Sequence, residues 1–408
     1  MSMQKRRVVI TGVGVVSSIG IGRDAFWNSL IAGTLGISEV ELFDTADFPV
    51  HRAGEIKGFK PDDFIPADQI KGMARASQFA VAATKLAFRD ANIVVDKLDK
   101  KSTGVVIGTT MADIQSLEQI DKYWTNGGEG AIWPINIVKY PSNSLSDHIG
   151  YFFGITGPNY AIPTACAAGN YSIGYAFDLI RSGKAKIMIA GGADPFSRVT
   201  FMGFNRLYAM ASDKCRPFDK DRKGMMIGEG SGMLIIEDME LAESRGADIY
   251  AEILGYGLSC DAHHMTAPKA KGIVKVMEKA IKNSGIKKED VDYVSAHGTG
   301  TPANDKAECE AIKTVFGENF KKVPVSSIKS MLGHTMGAAS AIEAIACCLA
   351  IKNGVVPPTM NYETPDPECD IDCVPNKARK KDVQVALNNS FAFGGNNACL
   401  VLKRVCHG

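Results

Sequence analysis

Short apolar runs rich in β-branched residues alternate with helical patterns along most of this chain. Val8 to Thr11 and Val105 to Thr110 are apolar over consecutive residues rather than at every second one. Continuous apolar strands separated by helices are typical of sheets that are covered by helices on both faces. The alternation therefore predicts an α/β fold. Further runs of this kind lie at residues 187–192, 232–237, 251–257, 291–296, 325–328, 385–389 and 398–403.

The charges of the chain almost cancel, with 46 Lys and Arg against 45 Asp and Glu and a formal net charge of +1. No global field therefore favours nucleic acid or an anionic membrane as a partner. The longest apolar helical stretch, Ala338 to Ile351, contains Glu343 and is shorter than the roughly 20 residues that a membrane span requires. We expect no nucleic acid partner and no membrane span.

Ten cysteines follow no regular spacing, which favours free thiols in a reducing compartment. The basic residues at the N-terminus run directly into a glycine-rich strand, which is too short for the apolar core of a signal segment. Cys369 and Cys373 have no second pair or histidine nearby that would complete a zinc site. We expect a cytoplasmic protein with no disulfides and no metal site.

The side chains that could take part in catalysis lie in three distant segments: Thr164-Ala-Cys-Ala-Ala-Gly, Ala296-His-Gly-Thr-Gly-Thr-Pro and Lys329-Ser-Met-Leu-Gly-His. Apolar residues follow Cys166 at helical spacing, so this cysteine is predicted to lie at the start of a helix. The positive end of a helix favours a thiolate over a thiol. His297 follows a predicted strand, where α/β sheets present ligand-binding groups.

Together these segments resemble the active-site signature of the β-ketoacyl-acyl carrier protein synthases, condensing enzymes of the thiolase superfamily. The resemblance is closest to the elongating type II synthases. It implies a thiolase fold of two similar halves, residues 1–250 with the nucleophile and 251–408 with the histidines, stacked as five layers, α-β-α-β-α. The sequence itself shows no residue-level repeat.

The resemblance also implies the reaction and the catalytic roles. An acyl group would be loaded onto Cys166 and condensed with malonyl-carrier protein after loss of carbon dioxide. His297 and His334 would donate hydrogen bonds to the developing enolate, which suits neutral imidazoles. The charge of Lys329 would help keep an imidazole neutral. Further acidic residues are expected to anchor this network, namely Asp305, Glu308 and Glu343.

A C-terminal segment, residues 389–397, resembles the glycine-rich loop of the same family. The backbone N–H groups of Phe393 and Cys166 would bind the tetrahedral oxyanion, and Phe393 would also separate the acyl tunnel from the malonyl site. Thr299 and Thr301 fall where the family binds the phosphopantetheine arm. The other positions that the resemblance assigns to substrate binding are Thr266, Met111, Phe391 and Gly394.

The implied partners are an acyl carrier protein and a second copy of the chain, in a homodimer. The resemblance implies no cofactor of the enzyme itself, since the substrates are carried on the phosphopantetheine of the carrier protein. Positions where the family presents basic residues to its acidic carrier hold Asp68, Gly130, Ala131 and Tyr208 instead. This departure favours a dedicated carrier. Residues 108–113 and 194–204 also depart from the family and predict a reshaped acyl pocket.

Two other interpretations remain open at this point. The chain could be a ketosynthase of a type II polyketide or specialised lipid pathway, which uses the same chemistry. It could also be a non-catalytic partner subunit of a heterodimer, although such subunits typically lack the cysteine that is present here as Cys166. A degradative thiolase would need a C-terminal Cys-x-Gly motif, which residues 396–399 do not supply.

Overall fold

The computed structural model of the protein describes residues 6–131 and 133–405. Residues 1–5, on which part of the signal-segment prediction rests, lie outside the described residues, as does Cys406. Within the described part the strands are β1 (Val8–Ser17), β2 (Gly20–Ile21), β3 (Ser38–Glu39), β4 (Arg52–Ala53), β5 (Thr103–Gly108), β6 (Asn159–Ile162), β7 (Ile187–Asp194), β8 (Gly230–Asp238), β9 (Ala251–Cys260), β10 (Tyr293–Ser295), β11 (Val325–Ser326), β12 (Val355–Val356), β13 (Arg379–Lys380), β14 (Val385–Phe391) and β15 (Asn396–Lys403).

Helices fill the connections between the main strands, as the apolar periodicity predicts. Longer helices end at glycines with positive φ, such as Gly154 and Gly285, which stop the helix without a side-chain clash. The α-helices are α1 (Arg23–Ala32), α2 (Ala67–Ile70), α3 (Arg75–Asp90), α4 (Ile114–Gly127), α5 (Pro134–Lys139), α6 (Ser144–Phe153), α7 (Ala168–Arg181), α8 (Arg198–Arg206), α9 (Met239–Ser244), α10 (Ala270–Ser284), α11 (Pro302–Phe316), α12 (Lys329–Leu332) and α13 (Ala339–Asn353).

The two halves of the chain repeat one strand topology. The first half has the order β6-β5-β7-β8-β1 and the second has the order β11-β10-β14-β15-β9. In each half the first three strands of that order run parallel, and the remaining two pairings are antiparallel. A short pairing of β1 with β9, at Ile10 with Ala251 and Val9 with Glu252, joins the two halves. The predicted α/β fold with two similar halves is confirmed.

Helices form three layers around the strands. α3 packs outside β1 and β8, and α10 packs outside β9 and β15. Between the halves α7 packs on β5 and β7, while α13 packs on β8, β14 and α7. The stretch Met336–Asn353 is apolar and long enough to meet the criteria for a membrane span, but 89% of it is buried inside the fold. A helix that is apolar all round belongs to the core layer, which explains its composition.

Two close backbone approaches lie next to each other, the first within the N-terminal half and the second between the two halves. A Cβ on Gly108, at the end of β5, would lie 2.3 Å from the carbonyl oxygen of Ala168 at the start of α7. A Cβ on Gly337, in the turn before α13, would lie 2.5 Å from the carbonyl carbon of Thr109. Only glycine allows these contacts. The boundary near residue 250 falls between α9 and β9, and the division into two domains stays a prediction.

Candidate active site

Cys166 lies in a 3-10 turn, Ala165–Ala167, that runs directly into α7. Ala165 has φ +50, an uncommon left-handed conformation for a residue with a side chain. The hydroxyls of Ser390 and Ser340 donate to the Cys166 carbonyl at 2.9 and 3.3 Å. The second half of the chain therefore holds this turn in place.

The environment of the Cys166 thiol differs from the expectation drawn from the helix position. Burial raises the pKa of Cys166 to about 11. The Lys329 charge and the backbone N–H groups of Phe393 and Cys166 act in the opposite direction, whereas the charge of Asp194 raises this pKa further. Desolvation outweighs the favourable groups, so the resting residue is a thiol. The two N–H groups nevertheless lie beside the sulfur, where an oxyanion would form.

Two buried imidazoles lie next to each other in the site. The ring centroids of His297 and His334 are 5.5 Å apart and the rings are nearly perpendicular, at 84°. The backbone N–H of Met336 donates to His334 Nδ1 at 3.1 Å. In the neutral ring the proton is therefore on Nε2, which is buried and has no hydrogen-bond partner among the described residues. His334 is thus set up to donate to a ligand.

Burial and the charge of Lys329 together keep these imidazoles neutral. Burial and the Lys329 charge both lower the pKa of His297 and of His334. The Lys329 ammonium donates to the His297 carbonyl at 2.7 Å and forms a buried ion pair with Glu343. Burial raises the pKa of Glu343 to about 7, and the lysine acts against that rise. Lys329 therefore links Glu343 to the histidine loop, and the catalytic roles of these residues stay predictions.

Asp305 and Glu308 lie behind the histidine loop and bond to its backbone. Glu308 accepts hydrogen bonds from the N–H groups of His297 and Gly298 at 2.9 and 2.8 Å. Asp305 accepts from the Gly300 N–H at 3.2 Å and from the Phe218 N–H at 2.8 Å. Burial raises the pKa of Glu308 to about 7 and also raises that of Asp305. Both carboxyl groups anchor the loop and neither faces the cavity.

A cavity of about 290 Å³ connects these groups to the surface. Cys166, His297 and His334 lie in its lining, and the hydroxyls of Thr299 and Thr301, 2.8 Å apart, are also part of it. Of the other predicted residues, Thr266, Phe391 and Phe393 line the same cavity. No group of three or more His, Cys, Asp or Glu side chains in the described part of the chain could hold a metal ion.

The glycine-rich loop is tied to the segment after β9. The Gly394 N–H donates to the Met265 carbonyl at 2.8 Å, and Gly394 has φ +81, which suits glycine. The ring of Phe393 packs against the ring of Phe204 from α8, with centroids 5.6 Å apart. Gly394 itself does not line the cavity and positions its neighbours instead. Phe204, at the end of the 194–204 segment, and Met265, next to Thr266, also line the cavity, whereas the lining residue Lys223 lies outside every segment that the sequence analysis singled out.

Met111 is not brought to this cavity. Its backbone N–H donates to Asp194 Oδ1 at 2.9 Å. The Asp194 carboxylate, fully buried at the end of β7, also accepts from the Thr109 hydroxyl at 2.7 Å and the Gly337 N–H at 2.6 Å. It thus joins the loop after β5 to the turn that follows His334. Sequence reasoning missed this role, although a carboxylate directly after an apolar strand was a usable signal.

Comparisons with known proteins agree with this geometry. The beta-ketoacyl synthase N-terminal domain matches residues 5–242 and the C-terminal domain matches residues 250–363. The 3-oxoacyl-[acyl-carrier-protein] synthase 2 of Synechocystis sp. is 42% identical over 99% of each chain. That of Staphylococcus aureus strain COL is 41% identical over 98% of this chain and 99% of its own.

Solved structures of ketosynthases are also similar to this chain. The ishigamide ketosynthase/chain length factor is 44% identical with a TM-score of 0.95, over 99% of this chain and 100% of that chain. A type II PKS acyl-carrier protein in complex with its ketosynthase bound to the hexaketide, AntDE:AntF, gives 36% identity and a TM-score of 0.92 over 99% and 100%. The resemblance read from the motifs is confirmed, and the chain belongs to the β-ketoacyl synthase family of thiolase-fold condensing enzymes.

Proposed function

We propose that this protein is a 3-oxoacyl-acyl carrier protein synthase, an acyltransferase that condenses an acyl group on Cys166 with a malonyl-carrier. One observation carries the proposal: a buried thiol, two neutral imidazoles and two backbone N–H groups converge on a single cavity. The hydroxyls of Thr299 and Thr301 also line this cavity, and they suit the amide groups of a phosphopantetheine arm. The chemistry calls for no further cofactor.

Acyl loading comes first. Cys166 Sγ attacks the thioester carbonyl of the acyl-carrier, its S–H proton passes to the departing pantetheine sulfur, and a new thioester forms on the enzyme. The N–H groups of Phe393 and Cys166 stabilise the oxyanion of this step. They also lower the cost of forming the thiolate, which burial opposes.

Decarboxylation of the malonyl thioester follows. The bond to the carboxylate breaks, carbon dioxide leaves, and the electron pair moves into an enolate whose oxygen becomes negative. His334 Nε2–H and the His297 ring stabilise that oxygen as neutral donors. Burial and the Lys329 charge keep both rings in the neutral form, so they bind the enolate without protonating its carbon.

Condensation completes the cycle. The enolate carbon attacks the Cys166 thioester, and the resulting oxyanion again lies beside the two N–H groups. Its collapse expels the Cys166 sulfur, which regains a proton, and releases a 3-oxoacyl-carrier extended by two carbons. Asp305, Glu308 and Glu343 hold the histidines and the lysine in place during these steps.

Intact-mass measurement with purified acyl-carrier and malonyl-carrier tests the proposal. We expect one acyl group per chain, mapped to Cys166, followed by carbon dioxide release and a 3-oxoacyl product when malonyl-carrier is added. Cys166→Ala should abolish the loading, with Cys348→Ala as a control at a cysteine that is also buried but far from the cavity lining. Loading on another cysteine would refute the assignment.

The chain itself suggests a second copy as a partner. β6 is the last strand of its sheet, and within the described residues it pairs with β5 alone. Tyr160 on β6 and Tyr175 on α7 are exposed and pack on each other, with centroids 5.2 Å apart. An open strand edge with exposed aromatic side chains favours pairing with an identical edge. We propose a homodimer, and light scattering of the chain purified alone tests it against a heterodimer.

A polyketide or specialised-lipid pathway is the second candidate. Two of the bulky residues of 194–204, Phe196 and Phe201, do not line the cavity, because they pack with Phe43 and Phe48 in an aromatic cluster. This cluster fixes α8, whose Phe204 contacts Phe393. Product length measured with successive malonyl additions separates the two pathways. A non-catalytic subunit is the weaker alternative because Cys166 and both histidines are in place.

The cytoplasm is the compartment we propose. The nine cysteines in the described residues are free thiols, and all except Cys260 are buried. Free thiols in this number suit a reducing environment. Fractionation of the producing cell, with detection of the protein in the soluble fraction, tests this assignment.

A further inference from the structure

Arg222 is a buried arginine that stands directly before Lys223, a residue of the cavity lining. Its side chain is 5% exposed and forms an ion pair with the carboxylate of Asp366. Its Nη1 also donates to the Asp219 carbonyl at 2.8 Å, whereas its Nε has no hydrogen-bond partner among the described residues. Because charges lose their hydration when they are buried, such a pair often contributes little net stability. The place of Arg222 in the fold therefore suggests a role other than stability.

Arg222 belongs to a loop of the first half that packs on the second half. This loop, residues 215–224, is here called the support loop. Its Lys220 N–H donates to the Thr364 carbonyl at 3.0 Å. Arg222 Nε lies 4.0 Å from Asp305 Oδ2, so the guanidinium is close to a second carboxylate besides its ion-pair partner. One cation of the first half therefore interacts with two carboxylates of the other half.

Asp305 lies in the first turn of α11 and holds the turn that contains Thr299 and Thr301, here called the threonine turn. Its carboxylate accepts from the Gly300 N–H, between the two threonines, at 3.2 Å. Burial raises the pKa of Asp305, and the Arg222 charge is among the influences that act against this rise. A protonated carboxyl is a poorer acceptor, since one of its oxygens carries a hydrogen. Arg222 therefore favours the form of Asp305 that binds the turn.

The support loop also contacts the threonine turn directly. Gly300 has φ +79, and a Cβ on it would lie 2.8 Å from the Gly224 carbonyl oxygen. The Cys215 thiol donates to the Thr299 carbonyl at 3.4 Å. The hydroxyls of Thr299 and Thr301 lie 2.8 Å apart on the other side of this packing, in the cavity lining. A displacement of the support loop would therefore move both hydroxyls.

We propose that Arg222 is a positioning residue for substrate binding: through the Asp305 carboxylate it fixes the threonine turn so that both hydroxyls meet the amide groups of a pantetheine arm. This inference rests on the proposed function. Arg222 does not line the cavity, so it acts through the turn and not on the substrate. The neighbouring carboxylate of Glu308 binds the N–H groups of His297 and Gly298 instead. One carboxylate thus serves binding of the arm, and the other serves the enolate donor.

The first experiment compares two thioesters of the same acyl group in the loading of Cys166, followed by intact mass. Acyl-pantetheine offers amide groups to the threonine turn, and the S-butyl thioester has none. We expect Arg222→Gln to raise KM for acyl-pantetheine about tenfold, as for the loss of about two ordinary hydrogen bonds. Its kcat, and KM for the S-butyl thioester, should stay nearly unchanged. Arg379→Gln, at an exposed arginine paired with Asp372 outside the cavity lining, is the matched control. Equal changes for the two thioesters would overturn the inference.

The second experiment distinguishes this route from a general loss of structure. In the Thr299→Val/Thr301→Val variant the contacts with the arm are already absent, so adding Arg222→Gln should change KM for acyl-pantetheine little. A further tenfold rise would show that Arg222 acts by another route. Arg222→Lys keeps the positive charge near Asp305 and should recover most of the affinity. A lysine variant as weak as the glutamine variant would exclude the electrostatic route.

Asp305→Asn tests the same route with the arginine in place, so the inference can be refuted even where the Arg222 variants do not fold. An amide has one acceptor oxygen where the carboxylate has two. This variant should raise KM for acyl-pantetheine more than for the S-butyl thioester, and equal changes would again count against the inference. A wild type that loads neither thioester onto Cys166 would instead refute the proposed function.

Discussion

Replacing Lys329 by methionine should move the pH dependence of decarboxylation rather than only reduce its rate. The Lys329 charge, together with burial, lowers the pKa of His297 and His334. A like charge close to an ionisable group disfavours its charged form. Without the lysine the imidazole pKa values rise, and the rings are protonated at a higher pH. Imidazolium would protonate the enolate carbon and stop condensation.

The stability of this variant follows from Glu343. Removing one partner of a buried ion pair costs about 3 to 5 kcal/mol when a charge is left unpaired. Here burial already raises the pKa of Glu343 to about 7, and loss of the lysine raises it further, so the carboxyl takes up a proton. We therefore expect a cost below that range near neutral pH. Because this folded-state pKa lies above the unfolded value, the contribution of Glu343 to stability is fully present at acid pH and is lost as pH rises through the folded pKa.

The assay is carbon dioxide release from malonyl-carrier, measured from acid to weakly basic pH. We expect the acid limb of the Lys329→Met profile to lie at higher pH than that of the wild type, because the imidazoles then take up a proton at a higher pH. Lys313→Met removes a partly exposed lysine that pairs with Asp370 outside the cavity lining and should leave the profile in place. An acid limb that does not move, with activity lost at every pH, would show that Lys329 acts through geometry alone.

Three further predictions concern single side chains. His297→Ala and His334→Ala should still accept acyl groups while condensation falls about a hundredfold, since one such donor is worth about 2.7 to 4 kcal/mol in the transition state; equal losses in loading and decarboxylation would contradict the division of roles. Asp194→Asn should lower the pKa of Cys166, because the Asp194 charge raises it. Alkylation of Cys166 by iodoacetamide should then reach half its maximal rate at a lower pH than in the wild type. Glu308→Gln should slow decarboxylation more than loading, because Glu308 holds the His297 backbone, and a change confined to loading would count against that role.

The sequence was sufficient to predict the α/β class and most of the groups around the cavity. Local patterns carry that information: apolar runs specify strands, and short motifs surround Cys166, His297 and His334. The repeated strand order was not predictable, because it consists of pairings between distant strands with no residue-level repeat. Motif resemblance still implied two halves.

The properties that the sequence did not predict depend on burial. Helix position alone suggested a thiolate at Cys166, whereas the closed surroundings raise the pKa of its thiol. Asp194 joins the loop after β5 to the turn before α13 through four hydrogen-bond donors. These donors lie in two segments that are distant in sequence, so only the fold reveals this role. Met111 was assigned to substrate binding from its motif position, but its backbone bond to Asp194 places it outside the cavity lining, and its role stays a prediction.

The central helical layer has a consequence for synthesis of the chain. α7 belongs to the first half, and its inner partner α13 begins at Ala339, which follows Ala168 by 171 residues (339 − 168). At about 5 to 20 residues per second, a ribosome needs roughly 9 to 34 seconds to make that interval. During this time the side of α7 that packs on α13 has no native cover. Newly made N-terminal halves should therefore bind chaperones, and slowing translation before residue 339 should raise the aggregated fraction.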